Sequence, residues 1–224
     1  MKIAKKILSG IAFVSAMGLS ATASATAFTV TGGFFNVGSG YGTGSGQLDV
    51  SFSSDVTPHS FNLNPGDSTS FHFGSVNLGE KCINSGNGLV DFFACGLSGL
   101  DGSELDDLDV VANLMFSDPV AKTVQNIAFT GAVIGPVNGF VEDYLLDYYI
   151  NFKPVTVNFG DGGSFLVNLS DLYFFKTGQA DTDARITLKS ASAAVPEPAT
   201  LAMLGIGLAG FGMARRRKQK QEKN

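Results

Sequence analysis

The chain has no tryptophan, two histidines and two cysteines. Each scarcity weighs against a class of function. Indole is the strongest platform for a sugar face, so its absence weakens any reading built on sugar stacking. Tyr144, Tyr148 and Tyr149 are available substitutes, although aromatics in that segment also suit a core. Cys82 and Cys95 have no histidine beside them and are not spaced as Cys-x-x-Cys, which argues against a zinc site and a redox pair. No serine stands in a Gly-x-Ser-x-Gly elbow, and no Gly-x-x-x-x-Gly-Lys loop offers to cradle phosphate. Paired carboxylates are not scarce. With 20 acidic residues in the chain, a glycosidase mechanism stays open on spacing alone.

What is present is most specific at the two ends. Lys2, Lys5 and Lys6 precede an apolar stretch from Ile7 to Leu19, and small residues follow. Ala23-Ser24-Ala25 and Ala25-Thr26-Ala27 both fit a small-x-small cleavage pattern. This order predicts a secretory signal peptide over 1–25, cut after Ala25 or Ala27 by signal peptidase, with a retained anchor as the alternative. At the other end, Val195-Pro196-Glu197-Pro198 leads into the apolar run Ala199–Ala214 and then into Arg215-Arg216-Arg217-Lys218. The run is 16 residues long, slightly below the roughly 17–25 of a typical spanning helix. Gly205, Gly207, Gly210 and Gly212 suit a transient anchor, and the basic cluster marks the cytoplasmic side.

These C-terminal residues resemble the PEP-CTERM sorting signal of bacterial exosortase substrates. The resemblance rests on Pro196, Glu197, Pro198, the Gly/Leu/Ala-rich hydrophobic helix and Arg215, Arg216 and Arg217, and covers about a ninth of the chain. It implies export across a bacterial inner membrane, transient anchoring, and cutting near Pro-Glu-Pro by an exosortase-type enzyme. The product would then be at the cell surface or extracellular. A plain tail anchor that stays in place is the alternative. The expected division is 1–25 signal peptide, 26–194 secreted domain, 195–218 sorting segment and 219–224 polar tail.

Nine of the 15 basic residues lie in those ends, with only two of the 20 acidic ones. The stretch between them therefore carries six basic and 18 acidic residues, a net −12. Such a body repels nucleic acid and anionic headgroups, which excludes nucleic acid as an expected partner. Its length suits one domain. Its apolar period is two. Leu48, Val50 and Phe52 alternate with polar residues, as do Phe61 and Leu63, and Phe71 and Phe73. So do Val110, Ala112, Leu114 and Phe116; Val155, Val157 and Phe159; Phe165, Val167 and Leu169; Ala184, Ile186 and Leu188. Short alternating runs between Gly, Asn, Asp and Pro turns predict an all-β antiparallel β-sandwich, jelly-roll or immunoglobulin-like, with its strand order open. Asn64-Pro65-Gly66-Asp67 and Gly160-Asp161-Gly162-Gly163 read as hairpin turns. Val141–Phe152 fits both periods, and its aromatic and β-branched content favours a strand. The Gly/Ser tract from Val37 to Gly46 lacks packing residues, which predicts a mobile loop.

Candidate sites in the body are few. Cys82 and Cys95, with 12 residues between them, are expected to form a disulfide in an oxidising compartment. His59 and His72 flank the Asn64–Asp67 turn, so pairing of those strands would let them share a metal with a carboxylate. Surface histidines are the plainer alternative. Asp101, Glu104, Asp106, Asp107 and Asp109 supply hard oxygens and are the candidate calcium ligands. Leu105 breaks the EF-hand spacing, and a solvated loop opening the strand Leu108–Phe116 is the competing reading. Three functional classes follow: a non-catalytic surface or exopolysaccharide-matrix protein, a carbohydrate-binding or adhesive module for extracellular polysaccharide, and a secreted hydrolase. No catalytic residue is identified, and the first class is the one expected.

Overall fold

The structure is a computed structural model and describes residues 25–96, 102–138 and 145–193. The expected signal peptide (apart from Ala25), the hydrophobic sorting segment and the polar tail lie outside it, as do Asp101 and Tyr144. The described strands run β1 (Thr26–Val37), β2 (Val50–Ser54), β3 (His59–Leu63), β4 (Ser68–Leu78) and β5 (Cys82–Ile83). A short helix follows, α1 (Gly88–Cys95). The chain continues through β6 (Val110–Asp118), β7 (Lys122–Ala132), β8 (Gly135–Pro136), β9 (Tyr148–Phe152) and β10 (Val155–Phe159). It closes with β11 (Gly163–Leu169), β12 (Leu172–Phe174) and β13 (Gly178–Ser190).

Two antiparallel sheets result. The six-stranded sheet has the order β12-β9-β7-β6-β1-β3 and the five-stranded sheet β10-β11-β13-β4-β2, while β5 and β8 form a small separate ribbon. The period-two runs face inward as expected. Val110, Ala112, Leu114 and Phe116 from one sheet, and Phe165, Val167, Leu169, Ala184, Ile186 and Leu188 from the other, are all buried. The sheets meet through rings: Phe28 stands edge-on to Phe165 at 5.2 Å and Phe35 edge-on to Phe73 at 4.9 Å. Such pairs add to the burial that drives sheet-on-sheet packing. The all-β sandwich expectation therefore holds. Within the ambiguous segment, Tyr148–Phe152 is the strand, and Tyr148, Ile150 and Phe152 are buried.

The expected turn over Gly160–Gly163 joins β10 to β11 as a hairpin, with Phe159 opposite Gly163 and positive φ at Gly160 (51°) and Gly162 (73°). The other expected hairpin is not one. Asn64–Asp67 does close a turn, the Asp67 N–H bonding the Asn64 carbonyl at 2.9 Å. However, β3 pairs with β1, whereas β4 pairs with β13 and β2 in the opposite sheet. The turn arches over the edge of the core. Both flanking strands carry an apolar face, and each buries it better in its own layer: Phe61 stacks on Phe28 at 5.3 Å, while Phe73 lies between the sheets.

The arch also fixes the polarity of the molecule. Thr26 pairs with Leu63, Thr187 with Ser68 and Ser190 with Ser164, so both chain ends of the domain leave from the pole holding the Asn64–Asp67 and Gly160–Gly163 turns. The opposite pole gathers the Gly/Ser tract, the disulfide, α1 and the acidic stretch, because Val37 pairs with Val110 and Leu78 with both Val50 and Gly178.

Candidate functional site

The distal pole is built from segments that looked like open loop. The Gly/Ser tract is not without packing residues. Tyr41 is buried, donates to the Leu108 carbonyl at 2.9 Å and meets the Tyr148 hydroxyl at 2.6 Å. With the one Tyr41 proton on that carbonyl, Tyr148 is the donor between the two rings. Burial pushes the Tyr41 hydroxyl up to about 12 against the opposing pull of its hydrogen bonds. Burial, with the Tyr41 charge behind it, pushes Tyr148 further in the same direction. The tract then runs against the acidic stretch backbone to backbone, the Gly38 N–H donating to the Asp109 carbonyl at 2.8 Å and the Gly40 N–H to that of Asp107 at 3.3 Å. Side chains at Gly38 and Gly40 would collide with the Asp107 and Asp106 carbonyls. The glycines permit contact and pin the tract in place.

Of the candidate calcium ligands, Asp101 lies outside the described residues, and this arrangement does not draw the other four together. Glu104 turns inward and accepts from the Asn84 N–H at 2.8 Å and the Asn84 side-chain amide at 3.2 Å. Leu105 and Leu108 pack against the core, which leaves Asp106, Asp107 and Asp109 pointing outward. Asp107 accepts from the Ser39 hydroxyl at 3.2 Å. Among the described residues no group of three or more His, Cys, Asp or Glu side chains is placed to hold a metal ion. The two histidines are likewise apart, on strands of different sheets. His59 bonds the Thr57 carbonyl at 2.7 Å, and His72 lies between Asp55 at 3.3 Å and Asp183 at 3.6 Å on the outer face of the five-stranded sheet.

Cys82 and Cys95 form the expected disulfide, with Cα atoms 5.7 Å apart, and it ties α1 to β5. This helix is inverted relative to an ordinary surface helix. Its single acid, Asp91, is buried and accepts from the Ser85 N–H and hydroxyl, both at 2.8 Å. Burial would raise the Asp91 carboxyl, but these bonds and the Gly86 and Asn87 N–H groups hold it below its ordinary value. Leu89, Val90, Phe92 and Phe93 are exposed instead. A polar cavity of about 400 Å³ opens nearby, lined by Gln47, Asp49, Glu80, Lys81, Asn84 and Glu104. Its Glu80 carboxylate is committed to the Asp49, Lys81 and Cys82 N–H groups.

A second feature lies on the outside of the six-stranded sheet. Strand alternation places Tyr173 beside Tyr149, Asn151 beside Phe129, and Asn113 between Phe34 and Gln125. Phe34, Ile127, Phe129 and Tyr173 are all exposed there. The Tyr149 ring crosses the strand over Gly131, where a Cβ would come within 2.5 Å of it. The Gln125 amide donates to Asn113 at 3.1 Å, and the Lys153 ammonium sits 4.6 Å from the centre of the Phe129 ring. The outer face of the other sheet carries Ser, Thr, Asp, His and Arg, and none of its residues is among the exposed large apolar ones. Neither Phe34, Phe129 and Tyr173 nor the exposed side chains of α1 were legible as a site. The available signal was the aromatic doublets Phe34-Phe35, Phe92-Phe93, Tyr148-Tyr149 and Tyr173-Phe174, while Phe129 stands in none. A doublet on a strand puts one ring on each face.

The fold and these surfaces define a β-sandwich domain with its loops and disulfide gathered at one pole. Beyond the fold, residues 194–218 match the PEP-CTERM protein-sorting motif, the signal of exported proteins that an exosortase processes. The matched residues are the C-terminal segment only, and the domain is not part of the match. No curated protein and no solved structure matches the chain. Among the described residues no helix is long and apolar enough to cross a membrane.

Proposed function

We propose that the domain is a non-catalytic protein of the cell surface or exopolysaccharide matrix, delivered by its two ends and released or re-anchored after exosortase processing. The observation that carries this reading is the sorting motif at 194–218 joined to a domain whose first and last strands leave from one pole. Five residues separate Ser190 from Pro196, a reach of at most ~20 Å at extended backbone spacing. While the tail is embedded, the proximal pole stays near the bilayer, and the disulfide-tied helix and acidic loop point away from it. An acidic body suits that position, since it does not adhere to anionic headgroups.

The ends also make separate predictions. Thr26 and Ala27 are paired with Leu63 and Asn62, so a cut after Ala27 would delete two paired residues from β1. A cut after Ala25 leaves the strand whole. Cells expressing the intact chain, beside cells expressing one truncated before Pro196, are fractionated and the mature termini read by mass spectrometry. The expected product begins at Thr26 and lacks the Arg215–Arg217 cluster. An intact protein recovered from the inner membrane with that cluster attached overturns the processing reading.

A further inference from the structure

We propose that the outer face of the six-stranded sheet is a docking platform for an uncharged polysaccharide chain. The inference rests on the preceding reading that the domain is displayed outside the cell, and it adds the ligand class and the surface that takes it.

The region between the two processed ends carries a net −12, yet the outward strand positions of this face hold a single carboxylate, Asp118, opposite Thr29 at the proximal end of β6 and away from the rings. The other nearby acids flank the strands. Asp109 precedes β6, and Asp171 precedes β12 and accepts the Phe152 N–H at 2.8 Å. Lys153 is the cation on the face, over Phe129. A neutral occupant meets this surface without electrostatic penalty, whereas a polyanion would have to cross the acidic surroundings to reach it.

Apolar rings and amides also alternate across this face. Rings at Tyr173, Tyr149, Phe129 and Phe34 offer flat apolar surfaces, and amides at Asn36 and Gln125 stand among them. A primary amide both donates and accepts, and so does a sugar hydroxyl. The two therefore match whichever way the hydroxyl points. The C–H faces of a sugar ring suit an aromatic surface for the same reason that other apolar groups do. The platform is preorganised. Gly131 leaves room for the Tyr149 ring to lie across the strand, and Asn113 receives the Gln125 amide while donating to the Val111 carbonyl at 3.3 Å. From β12 to β1 the sheet spans four strand spacings, ~19 Å. That is room for a polymer segment of several rings, in place of a pocket for a single sugar.

The test uses mature protein purified from cells expressing the full chain, run in native gels containing hydroxyethyl cellulose, galactomannan or dextran, with alginate as the anionic polymer. The expected result is retardation by at least one neutral polymer and none by alginate. Phe129→Ser with Tyr173→Ser, both at exposed positions, should weaken that retardation about tenfold or more with melting temperature unchanged. Phe92→Ser with Phe93→Ser on α1 should leave it as it was. Sedimentation velocity accompanies each gel. No retardation by any neutral polymer, or equal retardation of the Phe129/Tyr173 variant, overturns the proposal. So does a dimer that the Phe129/Tyr173 variant dissociates, because the face would then be covered by a second copy. None of these results bears on exosortase processing, which is read from the mature termini.

Discussion

Tyr41 shows how one side chain converts a flexible composition into a fixed pole. Nine residues of mostly Gly and Ser surround it between Val37 and Gly46, yet its ring is buried and its hydroxyl joins β9 to the start of β6. Both hydroxyls of the Tyr41–Tyr148 pair titrate above the ordinary value of 10, Tyr41 at about 12. A raised pKa means that the folded state holds the proton more tightly. The stability that the pair contributes is therefore complete below pH ~10 and is lost as pH rises through the folded values. Absorbance titration of tyrosinate should show these two rings ionising only together with loss of near-ultraviolet circular dichroism. Ionisation of all five tyrosines with the fold intact would refute the burial argument. The glycines beside Tyr41 give a second test. Gly40→Ala sets a methyl against the Asp106 carbonyl, and it should cost about 1–3 kcal/mol in urea unfolding. Gly88→Ala, with nothing within 4 Å of the added carbon, should be neutral or slightly stabilising.

At the scale of elements, α1 depends on its tether. A helix of eight residues that buries one carboxylate and exposes its apolar side chains has little reason to form alone. The Cys82–Cys95 bond and the Asp91 bonds to the Ser85–Asn87 turn hold it. Reduction should lower stability by about 3 kcal/mol in the chain-entropy model, with α1 losing amide protection before the sheets do. Uniform protection after reduction would show that packing suffices. The turn at Asn64–Asp67 carries the corresponding lesson for strands. Its residues specify a tight turn, and they form one, but nothing in four residues says which sheet the next strand enters. That choice is made by the ring partners of Phe61 and Phe73, which are distant in the chain.

At the scale of the molecule, the alternating runs in β6, β10, β11 and β13 were readable because a buried face imposes period two on each strand. The disulfide was readable from the compartment. The outer aromatic face was not, since Gln125, Ile127 and Phe129 sit on one strand and Phe34, Tyr149 and Tyr173 on three others that register alone brings side by side. The acidic stretch looked like a site; among its described residues, Leu105 and Leu108 pack on the core, Glu104 turns inward, and Asp106, Asp107 and Asp109 face outward.

Residue order by itself determined the route out of the cell and the all-β class, because a sorting segment and a strand period are both local properties of contiguous residues. Tertiary structure alone decided that both ends leave one pole, that the glycine tract is anchored, and which rings share a surface. Those outcomes depend on which distant strands pair, and pairing is governed by burial summed over the whole core.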